Sequence, residues 1–191
     1  MNLMNKIVGK ISRVLANIRF KPANKGTSER KVRELLKLVQ AGDVIATKTN
    51  GYIGNLFLGK YGHVIMCAGD VLNKQFKYEG EHLAIESTTE KGVHISNLLD
   101  VLQKKDRICL MRPLFLDDEQ KRGAVIRFHS MVGKPYDFEF SSTLEGIYCS
   151  EGIGLAYDSE HWQPRMRFGQ MTYSPMDYYN AKNKFSKLLE F

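Results

Sequence analysis

The spacing of apolar residues predicts helices in the first forty positions. Apolar residues near the N-terminus recur every three or four positions, which predicts an amphipathic helix flanked by basic residues. They are Leu3, Ile7, Ile11, Val14 and Ile18. Residues 20–27 predict a linker because Pro22 and Gly26 interrupt the pattern. Ser28 then predicts the cap of a second helix over residues 29–40.

The pattern changes to strands in the middle of the chain. Runs rich in β-branched and large apolar residues predict four strands, over residues 43–47, 63–67, 82–87 and 107–111. Residues 96–103 predict a short helix between the last two. Strands with helices before and after them predict an α+β fold, an antiparallel sheet with helices packed on one side.

Three helices are predicted in the second half. Asp117, with Gln120 three residues later, is typical of a capping box and predicts a helix to about Val132. A helix that begins after Cys149 and ends at about Tyr157 is predicted next, although Gly152 and Gly154 each weaken it by about 1 kcal/mol relative to alanine. Residues 176–189 predict the last helix, which begins after a proline.

Charge separates a basic N-terminal segment from a nearly neutral body. Ten Lys and Arg residues in positions 1–40 face only Glu29 and Glu34, so this segment carries +8 and the rest of the chain −1. We therefore expect a basic helical extension, 1–40, and a catalytic-sized domain, 41–191. Residues 1–20 either bind an anionic membrane surface or pack on the domain itself, and both interpretations are open. No specific nucleic-acid binding is expected, because the body has no basic motif interleaved with aromatic residues. The oligomeric state is not encoded in any recognisable pattern.

The cysteines favour a reducing compartment. Cys67, Cys109 and Cys149 are odd in number and widely spaced, which argues against a disulfide framework or a zinc site. We expect no metal and no cofactor, since no His, Cys, Asp or Glu group has metal-ligand spacing. Basic residues interrupt the N-terminal apolar positions, so neither a signal peptide nor a transmembrane span is predicted. The expected location is cytoplasmic, with peripheral membrane contact as an option.

Cys149 is the first candidate for chemistry. It directly precedes a predicted helix, where backbone N–H groups stabilise a thiolate, although a buried structural thiol is the alternative. His63 opens an apolar strand, and Glu86 lies among apolar residues of the next strand, where a carboxylate is costly unless paired. If these strands are neighbours, a Cys-His-Glu triad results. An accidental trio remains the alternative, because the chain has five histidines and 21 acids.

Several local patterns together resemble a known family. They are Gly42-Asp43-Val44-Ile45, Gly62-His63-Val64, Ala84-Ile85-Glu86 followed by Gly92-Val93, Gly133-Lys134-Pro135-Tyr136-Asp137, and Tyr148-Cys149-Ser150-Glu151. In this order they resemble the circularly permuted papain-like amidases typified by YiiX and YebB, of the NlpC-type superfamily. The resemblance covers roughly residues 41–180. It implies a circularly permuted papain-like fold.

The resemblance also implies roles for single residues. Cys149 is expected to be the nucleophile, His63 the base and Glu86 the group that orients the imidazole. Tyr136 is expected to donate a hydrogen bond to the oxyanion, with a core-edge tyrosine as the alternative. The sequence departs from the family at Gly152-Ile153-Gly154, where a large apolar pair is usual. The glycines either permit closer packing of the nucleophile helix or loosen it.

These patterns predict a thiol hydrolase that cleaves an amide, peptide or isopeptide bond through an acyl-enzyme. A lipid acyl hydrolase or acyltransferase at a membrane surface is the alternative, and a catalytically silent interaction protein is the second alternative. His82 and His94 are expected to be surface or supporting residues. The C-terminal tyrosines are either an aromatic wall for the substrate or part of a packing helix: Tyr173, Tyr178 and Tyr179.

Overall fold

The computed structural model describes residue 14 and residues 26–49, 59–141, 143–158, 160–167 and 169–191. The predicted N-terminal amphipathic helix lies outside the described residues apart from Val14, and so does the linker up to residue 25. In the part that is described, every helix is too short or too polar to cross a membrane.

Eight strands and six helices are defined by the described residues. The strands are β1 (Val44–Lys48), β2 (His63–Cys67), β3 (Leu83–Thr88), β4 (Gly92–Asn97), β5 (Arg107–Pro113), β6 (Arg165–Arg167), β7 (Gln170–Thr172) and β8 (Phe185–Glu190). The helices are α1 (Glu29–Leu36), α2 (Val71–Phe76), α3 (Leu98–Leu102), α4 (Asp118–His129), α5 (Cys149–Tyr157) and α6 (Pro175–Asn180).

One antiparallel sheet of six strands organises the fold, in the order β4-β3-β2-β1-β5-β8. Strands β6 and β7 form a separate hairpin. The predicted α+β class is confirmed, but helices cover both faces of the sheet rather than one. The reason lies in the central strands, because β1 and β2 are buried at every position except one end.

Each face of the sheet has its own apolar core. Val64 and Met66 of β2 point to one core, where α4 and α5 contribute Phe128 and Ile153. Ile65, between them, points to the opposite core with residues of α1 and α3. Helix α1 belongs to the segment that the charge pattern assigns to the extension, yet Val32 and Leu35 are fully buried against the sheet. The division at residue 40 itself stays a prediction.

Two elements differ from the sequence prediction because tertiary pairing overrides the local pattern. The short helix predicted over residues 96–103 begins only at Leu98, since residues 92–97 pair with β3 as a strand. Asn97 ends that strand and caps α3, its side chain accepting from the N–H of Leu99 at 2.9 Å. The helix predicted over 176–189 is wrong beyond Asn180: residues 185–190 pair with β5 as the edge strand β8. Helix α2 and the β6–β7 hairpin were not predicted.

The capping box of α4 is confirmed. The Asp117 side chain accepts from the Gln120 N–H at 2.8 Å, and the Gln120 side chain accepts from the Asp117 N–H at 2.9 Å. The helix that follows ends at His129, three residues before the predicted end.

Asp43 fixes the entry into β1. Its fully buried carboxylate accepts two bonds from the Arg112 guanidinium, at 2.8 and 2.7 Å, and one from the Gln40 N–H at 2.9 Å. A bidentate pair of this kind satisfies a buried charge that would otherwise be costly. The bond therefore ties β1 to β5 at the end of the sheet opposite His63.

Candidate active site

Three of the predicted site residues meet at one end of the sheet. His63 is the first residue of β2, Glu86 lies in the adjacent strand β3, and Cys149 is the first residue of α5. The His63 Nε2 and Glu86 Oε2 atoms are 2.7 Å apart. The imidazole is also hydrogen-bonded to Cys149, and because Nε2 is engaged by Glu86, Nδ1 is the nitrogen left for the thiol. The structure thus joins residues that are far apart in the sequence into one chain of contacts.

The start of α5 favours the thiolate form of Cys149. Burial alone raises the pKa of the thiol, but the charge and hydrogen bond of His63 and the N–H groups of Val64 and Ser150 together lower it below its ordinary value. The unpaired N–H groups and the dipole at a helix N-terminus act in the same direction. The other two cysteines are different, because burial raises the pKa of both Cys67 and Cys109.

His63 is held in the complementary charge state. Burial opposes the imidazolium, but the thiolate of Cys149 and the Glu86 carboxylate outweigh it and raise the pKa of His63 to about 9. A lowered thiol pKa and a raised imidazole pKa in the same contact both favour a thiolate–imidazolium pair.

Glu86 remains ionised although its side chain is only 3% exposed. Burial raises its pKa, but the hydrogen bond and charge of His63, with smaller contributions from Ser96 and Lys105, lower it to about 2. His94 lies directly opposite in β4, with Nε2 at 3.7 Å from Glu86 Oε1. Since His94 Nδ1 donates to the Gly92 carbonyl at 2.9 Å, its ring is held in this orientation. His94 therefore lies beside the carboxylate without a hydrogen bond to it.

The comparisons with known proteins identify the family of the chain. Residues 38–187 match a family described as "Permuted papain-like amidase enzyme, YaeF/YiiX, C92 family". The chain belongs to this permuted papain-like family. Its members are described as amidases and peptidases, so the chain is of the cysteine hydrolase type in the broad sense.

A solved structure that is similar to this chain supports the same fold. It is described as "metalloprotein yiiX from Escherichia coli O157:H7, DUF1105", with 18% sequence identity and a TM-score of 0.63. The match covers 80% of this chain and 97% of that one. In the described ranges of the present chain, no three His, Cys, Asp or Glu side chains are grouped to hold a metal ion. None of the curated proteins compared with the chain matches it.

In this papain-like fold Tyr136 lies on a loop beside the nucleophile. The loop is bound to β4, because the Val93 N–H donates to the Lys134 carbonyl at 2.9 Å. Burial raises the pKa of Tyr136 well above its ordinary value, and the nearby Cys149 thiolate raises it further. The hydroxyl therefore keeps its proton near the charge of the Cys149 thiolate.

Gly152 and Gly154, where the chain departs from the family pattern, allow α5 to pack closely on both sides. A Cβ on Gly152 would lie 2.7 Å from Phe128 Cζ and 3.0 Å from Ile147 Cγ2. A Cβ on Gly154 would lie 2.5 Å from Tyr173 Cζ. The helix nevertheless runs without interruption from Cys149 to Tyr157. The glycines permit closer packing and do not loosen the helix.

The C-terminal tyrosines hold the nucleophile helix rather than forming one wall. The Tyr178 hydroxyl donates to the Ser150 carbonyl at 2.7 Å, and Ser150 Oγ donates to the Tyr173 carbonyl at 3.1 Å. The Tyr148 hydroxyl accepts from the Tyr173 N–H at 3.0 Å. Tyr179 instead accepts a hydrogen bond from Lys60 Nζ at 2.8 Å. Tyr173 and Tyr178 therefore support the first turn of α5.

Sequence reasoning missed Glu151, a second buried carboxyl near the site. Its side chain accepts a long bond, 3.4 Å, from the Tyr148 N–H. Burial raises its pKa to about 8, and the neighbouring Asp137 contributes in the same direction. Asp137 is itself satisfied by N–H groups of Glu139 and Ser141 at 2.7 and 2.5 Å. A glutamate in the first turn of a predicted helix is typical of a capping residue, so the sequence does not indicate that this side chain is buried.

Proposed function

We propose that the chain is a cysteine hydrolase that cleaves an amide or peptide bond through an acyl-enzyme, with Cys149, His63 and Glu86 as its triad. The observation that supports this best is the opposite displacement of two pKa values, a lowered one for the Cys149 thiol and a raised one for the His63 imidazole, across a direct contact. Enzymes use such pairs to hold a reactive nucleophile at neutral pH.

The geometry supports a definite sequence of steps. The Cys149 thiolate attacks the carbonyl carbon, and the resulting oxyanion accepts hydrogen bonds from the Cys149 N–H and the Tyr136 hydroxyl. The His63 imidazolium donates its proton to the leaving amine, which departs and leaves a thioester on Cys149. Neutral His63 then takes a proton from water as the water attacks the thioester. The C–S bond breaks, the carboxylic acid leaves, and the Cys149 thiolate and the His63 imidazolium are restored. Glu86 keeps the imidazole oriented and stabilises its positive charge throughout.

A lipid acyl bond is a second candidate for the bond that is cleaved. Met166 and Met171 are cross-strand partners in the β6–β7 hairpin and are 66% and 53% exposed. The hairpin leads directly into Tyr173, which contacts the first turn of α5. An apolar pair this close to the nucleophile favours a substrate with an acyl chain.

The rate of Cys149 alkylation by iodoacetamide as a function of pH tests the proposal. Peptide mass spectrometry separates the three cysteines, so Cys67 and Cys109 are internal controls. We expect Cys149 to react fast well below pH 8, and His63→Ala to remove that advantage, because the thiolate would lose its counter-ion. If native Cys149 reacts no faster than the other two cysteines, the nucleophile assignment is wrong and the interaction-protein alternative is favoured.

The class of substrate is tested separately with two chromogenic compounds, one for each candidate bond. A p-nitroanilide of a short peptide and a p-nitrophenyl ester of a long-chain fatty acid are compared by kcat/KM. Met166→Ser with Met171→Ser is expected to lower kcat/KM for the acyl ester alone if the hairpin binds the chain. Equal effects on both compounds would remove the support for a lipid substrate.

A further inference from the structure

The charge balance of the proposed triad raises a physical question. In the thiolate–imidazolium form Cys149 and Glu86 are each negative and His63 is positive, so the three residues carry a net charge of −1. The side chains of His63 and Glu86 are only 19% and 3% exposed, and Cys149 is 5% exposed. A net charge in such a place is costly unless another group compensates it.

The backbone brings Lys105 to the same end of the sheet as the triad. Asp106, the next residue, donates its N–H to the Lys48 carbonyl at 2.8 Å. Lys48 follows Thr47, and Thr47 is the cross-strand partner of His63. Lys105 therefore precedes a residue that is bonded to Lys48, and Lys48 is next to the strand position that faces His63.

Lys105 also lies over the face of the sheet that carries the His63 and Glu86 side chains. His63 and Ile65 are two residues apart on β2 and therefore point to the same face of the sheet, and so do Ala84 and Glu86 on β3. Ile65 and Ala84 belong to the core that α3 covers through Leu102. The Lys105 N–H donates to the Leu102 carbonyl at 3.0 Å, so Lys105 continues the turn at the end of this helix.

The turn that carries Lys105 is also hydrogen-bonded to the segment before α1. Thr27 donates its hydroxyl to the Lys105 carbonyl at 2.7 Å and its N–H to the Gln103 carbonyl at 3.1 Å. With the bonds to Leu102 and Lys48, three separate segments hold this turn. The backbone that carries the Lys105 side chain is therefore held in place beside the triad.

The charged groups that face Lys105 fit a counter-charge. Burial lowers the pKa of Lys105 and the nearby Lys104 lowers it further, while the charges of Glu86 and Cys149 raise it. Reciprocally, Lys105 contributes to the low pKa of Glu86. The ammonium therefore interacts with both negative members of the triad.

We propose that Lys105 is a positioning residue that supplies the fourth charge of the site and makes the thiolate–imidazolium form of the triad electrically neutral. This inference rests on the proposed function, since it requires Cys149 to be the nucleophile. A nearby positive charge favours the loss of every proton around it. Lys105 therefore lowers the whole pH range in which the ion pair exists, both its acid limit and its alkaline limit.

The test compares Lys105→Met, which keeps the aliphatic stem, with Lys105→Arg, which keeps the charge. A unit charge within about 10 Å at an effective dielectric of about 20 changes a neighbouring protonation equilibrium about tenfold. We therefore expect the acid limb of Cys149 alkylation and the alkaline limb of kcat/KM each to move up by about one pH unit in Lys105→Met. At a fixed pH on the acid limb, alkylation should be about tenfold slower.

The controls separate charge from structure and the inference from the proposed function. Lys105→Arg and the exposed neighbour change Lys104→Met are expected to leave both limbs in place. Lys105→Gln serves as a second neutral variant if Lys105→Met does not fold, as judged by circular dichroism. A lower plateau with unmoved limbs would overturn the role of Lys105 while leaving the triad intact. If wild-type Cys149 shows no advantage over Cys67 and Cys109, the proposed function fails and this inference fails with it.

Discussion

Replacing Gly152 by alanine tests whether close packing positions the nucleophile helix. The added methyl would lie 2.7 Å from Phe128 Cζ and 3.0 Å from Ile147 Cγ2. Both side chains are fully buried, so neither has space to move away. Overpacking of a core costs about 1–3 kcal/mol. Alanine gains about 1 kcal/mol over glycine inside a helix. Because the methyl meets two buried side chains at once, we expect a cost of about 2–3 kcal/mol, and a net fall in the free energy of unfolding of about 1–2 kcal/mol.

Gly123→Ala is the matched control, because Gly123 also lies within a helix. A Cβ there would meet only the flexible end of the Arg127 side chain, at 3.3 Å. The gain in helix propensity should then appear alone, as a stabilisation of up to about 1 kcal/mol. Urea unfolding followed by far-ultraviolet circular dichroism measures both variants against the wild type.

The same substitution should also affect the site. A displaced α5 moves Cys149 away from His63, so alkylation of Cys149 at pH 6 should slow in Gly152→Ala and stay unchanged in Gly123→Ala. If Gly152→Ala is as stable as the wild type, or gains stability as Gly123→Ala does, then Phe128 does not restrict this helix and the packing explanation is refuted.

Two further predictions concern the surroundings of the nucleophile. Burial raises the pKa of Glu151 to about 8 from an ordinary value of 4.5. Between these two values the folded protein holds a proton that the unfolded chain loses. The contribution of this proton to stability is complete below pH 4.5 and is lost as the pH rises through 8. Glu151→Gln should therefore flatten the fall in urea midpoint between pH 5 and 8, and an unchanged slope would contradict the assignment. Gly92→Ala would place a Cβ 2.9 Å from Pro135 Cα, at a residue with a φ of 65°, and should displace the Tyr136 loop. Loss of one oxyanion donor predicts a fall in kcat of about 10²–10³-fold while alkylation of Cys149 persists. Gly133→Ala is the control, because Gly133 also has a positive φ, 94°, but no atom lies within 4 Å of the added Cβ. An equal fall in kcat in this variant would mean that backbone strain, and not the displaced loop, causes the effect.

The sequence predicts the four inner strands of the sheet, β3, β2, β1 and β5, well because their residues are apolar on both sides. Residues 63–67 need no tertiary information to be recognised as a strand, and β2 has these bounds. The end of the chain is different. Phe185, Leu188 and Leu189 have helical spacing, yet residues 185–190 become an edge strand because β5 offers an unpaired edge. Such an edge exists only after the sheet has formed, so local propensity could not reveal it.

The same distinction applies to the candidate site. Cys149, His63 and Glu86 are visible in the sequence because each is an unusual residue at an element boundary or among apolar neighbours. Lys105 and Glu151 carry no such signal. One is a lysine in a turn and the other an acid in the first turn of a helix, where both residue types are ordinary. Their placement near the triad follows from contacts between distant segments.

Three positions where this sequence breaks local rules nevertheless converge on one place. Gly152 and Gly154 weaken a helix, and Glu86 puts a carboxylate in the sheet interior. Each violation costs free energy locally, and each is compensated at the proposed nucleophile: the glycines let Phe128 and Tyr173 fix α5 from both sides, and Glu86 binds His63 at 2.7 Å. Violations without function would be expected to scatter over the chain. Their convergence on the first residue of α5 is therefore an argument, independent of family membership, that Cys149 is where the chemistry occurs.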